Sequence, residues 1–174
     1  MKKILFPIFF NFIFGESLHL NVGETLLYSA SFRNIYVANA NLKILRKEVI
    51  GSDSVYHVRF TAKSEGPINY IFPIDDEINL WLDAKTLLPV KIDEKISEGK
   101  LKRSTKIHFN RKNNFALINN DTLSIKKNTQ SPYSLFYFFR KNSIQDFKNR
   151  EISLIQNKKT VLLDLTVREN EVVN

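Results

Sequence analysis

Apolar residues recur at every second position over most of the chain after residue 17. In residues 88–97 they alternate with polar ones, Leu88, Val90, Ile92 and Ile96 against Lys91, Asp93, Lys95 and Ser97. Successive side chains of a strand point to opposite faces of a sheet, so this pattern predicts strands with one buried face and one solvated face. Glu94 interrupts the apolar face, and we expect it to lie near a sheet edge or a cavity.

The same alternation predicts nine further strands, at residues 24–33, 35–49, 54–63, 78–83, 101–109, 115–119, 122–126, 151–156 and 160–168. Glu98-Gly99 predicts a tight hairpin, because glycine tolerates the positive φ that such turns need. Asn119-Asn120-Asp121 and Asn157-Lys158-Lys159 predict two more turns. Many short strands without long helical segments between them indicate a mainly β fold. We expect an antiparallel meander that forms a curved sheet, a half-barrel or a barrel.

One helix is predicted at about residues 132–142. Ser131 can cap the first free N–H groups, and Pro132 suits the first helical position. Arg140 and Lys141 follow where cations favour the C-terminal end of a helix. The positions between are apolar nearly all round, with Leu135, Phe136, Phe138 and Phe139 among them. Such a helix is expected to pack on the open side of the sheet, and less than a quarter of the chain is expected to be helical.

The N-terminus has the layout of a secretory signal peptide. Met1-Lys2-Lys3 is basic, Ile4 to Phe14 is almost wholly apolar, and the small residues Gly15 and Ser17 follow. We predict a signal peptide at 1–17, cleaved after Ser17, and a single exported domain at 18–174, in the periplasm or otherwise outside the cytoplasm. The alternatives are a buried first strand and an uncleaved anchor. No later segment predicts a membrane span.

The overall composition excludes some classes of protein. The sequence has no Cys, which rules out disulfides and a lipid-anchoring cysteine. Its formal net charge is +8. The basic residues are dispersed along the chain, which indicates an ordinary solvated surface. We therefore predict that the protein does not bind nucleic acid.

The sequence carries no recognisable catalytic, cofactor or metal motif. Asp75-Asp76-Glu77 is the one acidic cluster, and we interpret it as a solvated turn after Pro73. His19, His57 and His108 lack metal-ligand spacing, and the last two fall on polar strand faces, where we expect surface histidines. We therefore predict no catalytic residue, no metal and no cofactor.

Ligand-binding candidates are restricted to large aromatic residues. Trp81 can anchor a ligand, although core packing is the commoner use of a tryptophan. Phe136 and Phe139 on the predicted helix are the other two candidates. The sequence itself does not identify a ligand.

A succession of motifs resembles the bacterial exported family called domain of unknown function 3108. In order, these are Gly23-Glu24 with Leu26 and Tyr28, Trp81-Leu82-Asp83, Leu87-Leu88-Pro89-Val90, Glu98-Gly99, the strand ending at Phe109, and the Ser131-to-Arg140 helix. The resemblance covers roughly residues 22–172. It implies a β-rich periplasmic or envelope protein with no established activity and no catalytic residues to transfer. Members of the family usually continue with further strands, so we expect either a shorter variant or a truncated reading frame, and an unpaired last strand edge would be a pairing site for another chain.

Three functions are compatible with these features. The first is a binding module for an apolar or amphipathic ligand such as lipid, held between the sheet and the Phe-rich helix. The second is an envelope structural or protein-interaction factor that contacts another envelope protein and has no small ligand. The third, a hydrolase acting on envelope polymer, is the least favoured because no acid–base or nucleophile constellation is visible. The oligomeric state does not follow from the sequence.

Overall fold

The structure, a computed structural model, describes residues 20–32, 35–142, 150–156 and 158–165. The predicted signal peptide, its cleavage after Ser17, and His19 lie outside these residues. The described part contains ten strands and two helices, in the order β1 (Thr25–Phe32), β2 (Ile35–Ile50), β3 (Asp53–Ser64), α1 (Ile68–Ile71), β4 (Asp75–Asp83), β5 (Pro89–Glu98), β6 (Leu101–Asn110), β7 (Phe115–Ile118), β8 (Asp121–Ser124), α2 (Pro132–Lys141), β9 (Arg150–Gln156) and β10 (Lys159–Leu165).

The predicted antiparallel meander is confirmed. Strands β1 to β8 form one sheet in sequence order, and each strand pairs antiparallel with the next. Strands β9 and β10 form a separate hairpin. Within the described ranges no pairing joins β1 to β8, so the sheet is open and the barrel alternative is not realised.

The turn and the irregularity around β5 follow from local sequence. Glu98 pairs with Leu101, and Gly99 between them has a φ of 57°, which confirms the predicted hairpin. At the other end of β5, Trp81 pairs with Lys91 and Leu82 with Pro89. Val90 is therefore left as the extra residue of a β-bulge, which shifts it out of the alternation that the sequence predicted.

One face of the sheet, called here the inner face, carries the hydrophobic core. Ile44, Leu82 and Ile92 on this face are almost fully buried, together with further aliphatic side chains from β2 to β7. Tyr137 of α2 and Ile155 of β9 complete the same core. The opposite, outer face is mostly polar, as the period-two pattern predicts.

Helix α2 begins where the sequence predicts and packs against β4 and β9. Ser131 and Ser134 form a reciprocal capping box, each side chain accepting a hydrogen bond from the other residue's backbone N–H. At the far end, Arg140 forms an ion pair with Glu24 beside β1. Neither α1 nor α2 has the length and apolar composition for a transmembrane span, a statement that covers the described ranges.

The interpretation of Asp75-Asp76-Glu77 as a solvated turn was wrong. These residues begin β4, three residues earlier than predicted, and pair with Lys63, Ala62 and Thr61 of β3. Asp76 is buried and accepts a hydrogen bond from the Ser97 backbone N–H at 2.7 Å. The preceding single-turn helix α1 was not predicted either, because four residues are too few to show a helical period.

Candidate functional site

An apolar cavity lies between the inner face of β1–β3 and the first turns of α2. Its volume is about 360 Å³, near the lower end of the range of about 300–1,000 Å³ typical of small-molecule pockets. Its lining is dominated by apolar side chains, and consists of Tyr28, Ser29, Ala30, Ala38, Asn39, Ala40, Leu42, Phe60, Ala62, Pro132, Tyr133 and Phe136.

Small side chains on the sheet create this space. Ala30 pairs with Ala38, and Ala40 pairs with Ala62, so four alanines form one patch across three strands. Neighbouring inner positions on the same strands carry Leu42 and Phe60, which reach the core. Because an alanine side chain is a single methyl group, the patch leaves a gap that larger residues would close.

The helix supplies the opposite wall of the cavity. Tyr133 and Phe136 lie on the side of α2 that faces β1–β3, and the Tyr133 ring lies 6.4 Å from that of Phe60. Phe136 also makes an edge-on contact with the buried Tyr137, with ring centroids 5.2 Å apart. The wall is therefore fixed to the core through Tyr137.

A second cavity adjoins the first at Pro132 and Tyr133, which line both. We call it the mixed cavity because its lining combines charged and apolar groups. Its volume is about 420 Å³, and its other lining residues are Glu94, Arg103, Thr105, Ile107, Ile118, Ile155, Gln156 and Lys158. The lining is therefore mainly apolar on one side of Pro132 and Tyr133 and contains charged groups on the other.

Glu94 and Arg103 provide the charge in the mixed cavity. An Nη2 atom of Arg103 lies 3.8 Å from Oε2 of Glu94. Burial raises the pKa of Glu94, while Arg103 and a hydrogen bond with Thr105 partly lower it. Burial likewise raises the pKa of the Tyr133 hydroxyl, and nearby Glu94 raises it further. Of the two positions expected for Glu94, a sheet edge or a cavity, the structure shows the cavity.

Trp81 lies on the outer face, within a compact cluster of polar and aromatic groups. It stacks on His57, with ring centroids 4.4 Å apart and planes inclined by 16°. The Lys91 ammonium lies 4.2 Å from the Trp81 ring centroid, and the indole N–H donates to Glu48. His57 Nε2 lies 2.9 Å from Oδ1 of Asn79. The cluster ties β2, β3, β4 and β5 together on the face away from both cavities.

The prediction that His57 is a surface histidine was wrong, whereas His108 is exposed as predicted. His57 is on the outer face, but only 4% of it is accessible because Trp81 covers its ring. Burial lowers the pKa of His57, and the hydrogen bond with Asn79 partly raises it. A polar strand face in the sequence does not reveal that a neighbouring strand supplies such a cover.

We expect acid to destabilise the protein through His57. Because its pKa is lowered in the folded state, the unfolded chain binds the proton more readily, with a pKa near about 6.5. The free energy of unfolding should therefore fall as pH drops below that value, and this contribution should level off below the folded-state pKa. Urea midpoints measured from pH 7.5 to 5 should fall more steeply for the wild type than for His57→Gln. Equal pH profiles would contradict this role.

The structure separates the three aromatic residues that the sequence singled out. Phe136 lines the apolar cavity, Trp81 lies on the outer face, and Phe139 makes an edge-on contact with Phe138, 5.7 Å between ring centroids. Trp81 and Phe139 are outside the lining of both cavities. The alanine patch was not recognised, although its four residues fall within the predicted strands 24–33, 35–49 and 54–63. Only the pairing of β1 with β2 and of β2 with β3 brings them together.

Among the described residues, no three His, Asp or Glu side chains are grouped so that they could hold a metal ion. Comparison with known proteins finds a family match: the family described as "Protein of unknown function (DUF3108)" matches residues 27–174. The matched segment contains every residue that lines the two cavities. No curated protein and no solved structure matches the chain.

Proposed function

The chain belongs to DUF3108, a family of proteins of unknown function, and we propose that it binds a lipid-like amphipathic molecule between the sheet and α2. The observation that carries the proposal is the cavity over the alanine patch, with aromatic walls and a lining dominated by apolar side chains. Burying an apolar chain there removes its surface from water, which contributes about 25 cal/mol per Å².

The mixed cavity supports an amphipathic rather than a purely apolar ligand. An apolar chain in the first cavity would direct its polar end past Tyr133, towards Arg103 and Glu94. Arg103 can donate hydrogen bonds to a polar head group and the Glu94 carboxylate can accept them from it, and a few placed polar groups at the end of an apolar pocket are typical of ligand sites. Glu94 is the one carboxylate in this lining, an arrangement that does not favour the hydrolase alternative.

The proposal includes export of the protein from the cytoplasm. Export is supported by the basic, apolar and small-residue layout of residues 1–17. We propose that the mature protein acts outside the cytoplasm, where envelope lipids are available as ligands. The polypeptide mass of protein recovered from its host tests the removal of residues 1–17, and an intact Met1 end would refute it.

The envelope-interaction alternative has one favourable observation. Among the strands that the structure describes, β1 ends the sheet, and the side chain of Leu27 in it is largely exposed. An unpaired strand edge can add a strand from another chain. This function requires no ligand in the cavity, so a ligand-binding measurement separates the two proposals.

A fluorescent fatty acid, cis-parinaric acid, is a suitable probe for the test. Its fluorescence should rise on binding to the wild type and fall when an unlabelled fatty acid competes. Phe136→Ala removes a wall of the apolar cavity and should raise the half-saturating probe concentration by about tenfold, the equivalent of about 1.4 kcal/mol of lost contact. Phe138→Ala is the matched control, because Phe138 is on the same helix but outside the lining.

The wild-type titration and the comparison of variants can each reject the proposal. If the wild type does not bind the probe, the lipid-binding function is wrong. Equal binding by both alanine variants would place the ligand somewhere other than this cavity.

A further inference from the structure

Exposed apolar side chains gather at one end of the sheet. Tyr70 is 92% exposed and Ile71 79%, both in the short helix α1 between β3 and β4. Phe72 and Leu101 beside them are about half exposed. We call these four residues the apolar tip. Neighbouring exposed apolar residues, unlike scattered single ones, mark an interaction surface.

The tip is one surface although its residues come from two loops. The Gly99 backbone N–H donates to the Pro73 carbonyl at 2.7 Å, and Ile74 forms a β-bridge with Glu98. The Phe72 ring lies directly against Gly99, so that a Cβ at that position would be 2.9 Å from the ring. The α1 loop and the β5–β6 hairpin are thus fixed side by side, which places Leu101, two residues after Gly99, at the same end of the sheet as the aromatic residues.

The charges at this end of the sheet suit an anionic partner. Lys100 and Lys102 flank Leu101, and both are exposed. Acidic groups nearby are engaged within the protein: Asp75 pairs with Lys63 at 3.3 Å, and buried Asp76 accepts from the Ser97 N–H. Burial raises the pKa of Glu98, and Asp76 raises it further.

We propose that the apolar tip inserts into the interfacial region of a membrane that contains anionic lipids, with Lys100 and Lys102 contacting the head groups. Aromatic and aliphatic side chains next to lysines are the combination that interfacial membrane-binding segments use. A protein partner would also cover apolar residues, but exposed lysines on both sides of Leu101 favour a surface of negative head groups. The tip is separate from the apolar cavity, so this proposal does not depend on the proposed ligand.

The place of the tip in the sheet relates membrane docking to the apolar cavity. Ala38 of the alanine patch pairs with both Ala30 and Ser64, and Ser64 is the last residue of β3 before the tip loop. The tip and the apolar cavity are therefore at the same end of the sheet. A protein docked through the tip would hold this end of the cavity next to the bilayer.

The absence of cysteine from the chain makes a site-specific test possible. Ile71→Cys in the full chain can carry a single environment-sensitive NBD label at the tip. Val49→Cys is the matched control, because Val49 is 68% exposed and lies by the β2–β3 turn at the opposite end of the sheet. Vesicles of phosphatidylcholine with phosphatidylglycerol should increase and blue-shift the fluorescence at position 71, and nitroxide-labelled lipid should quench it. The label at position 49 should not respond.

The lysines are tested in the same labelled protein. Lys100→Gln with Lys102→Gln should raise the half-saturating lipid concentration about tenfold or more, and added salt should weaken wild-type binding. Attachment through residues 4–14 alone would leave the label at position 71 in water, and this result overturns the proposal. A label response that requires no lipid and grows with protein concentration would also overturn it and identify the tip as a protein contact.

Discussion

Tyr137→Ala is expected to lower the free energy of unfolding by about 3–5 kcal/mol, the usual cost of truncating a large core aromatic residue. Tyr137 is 1% exposed and is the largest fully buried side chain in the described part of the protein. It lies in the centre of α2, belongs to the hydrophobic core and makes an edge-on contact with the Phe136 ring. Its removal would leave a cavity in the core that the surrounding side chains cannot fully close.

The measurement is chemical denaturation followed by circular dichroism. Phe138→Ala is the control, because Phe138 is on the same helix but only half buried, and it should cost clearly less than Tyr137→Ala. Equal losses for the two variants would mean that Tyr137 does not anchor the helix. Since α2 forms one wall of the apolar cavity, this contact also sets the shape of the proposed binding site.

Ala62→Phe should abolish probe binding while leaving the protein folded. Ala62 is in the alanine patch, and a phenyl ring there would occupy the space that we assign to the ligand. In a filled core such an enlargement costs about 1–3 kcal/mol through overpacking. Because a cavity receives the ring here, the cost should be smaller than this.

Thr61→Phe is the matched control for this experiment. Thr61 precedes Ala62 on β3 and points to the outer face, so the same side chain is added on the opposite side of the sheet. It should leave cis-parinaric acid binding unchanged. If both variants bind the probe as the wild type does, the alanine patch is not the binding site.

The sequence predicted the elements of the fold better than their assembly. Period-two patterning identified β5 and β6 and the Gly99 turn between them, because alternation and turn chemistry are local properties. The start of α2 was equally clear, since Ser131 and Pro132 carry a helix-start signal that is independent of the rest of the chain. The predicted helix burial was less accurate: Tyr137 and Ser134 are the fully buried positions, while Phe136, Phe138 and Phe139 are half buried.

The helix side of the candidate site, with Phe136, was predicted, but its sheet side depends on the register between paired strands, and this is why the sequence did not reveal the alanine patch. Ala40 and Ala62 are far apart in the chain and meet only through the β2–β3 pairing. The burial of His57 similarly depends on Trp81 from β4. In both cases a residue has an ordinary local pattern, and its role comes from a cross-strand neighbour.

Native mass spectrometry of the wild type, purified without detergent, tests the lipid-binding proposal most directly. We expect a species heavier than the polypeptide by the mass of an amphipathic molecule, which organic extraction releases. Ala62→Phe, purified in the same way, should show the bare polypeptide, and Thr61→Phe should retain the adduct. A bare polypeptide for the wild type, together with no binding of added fatty acid, would contradict the account.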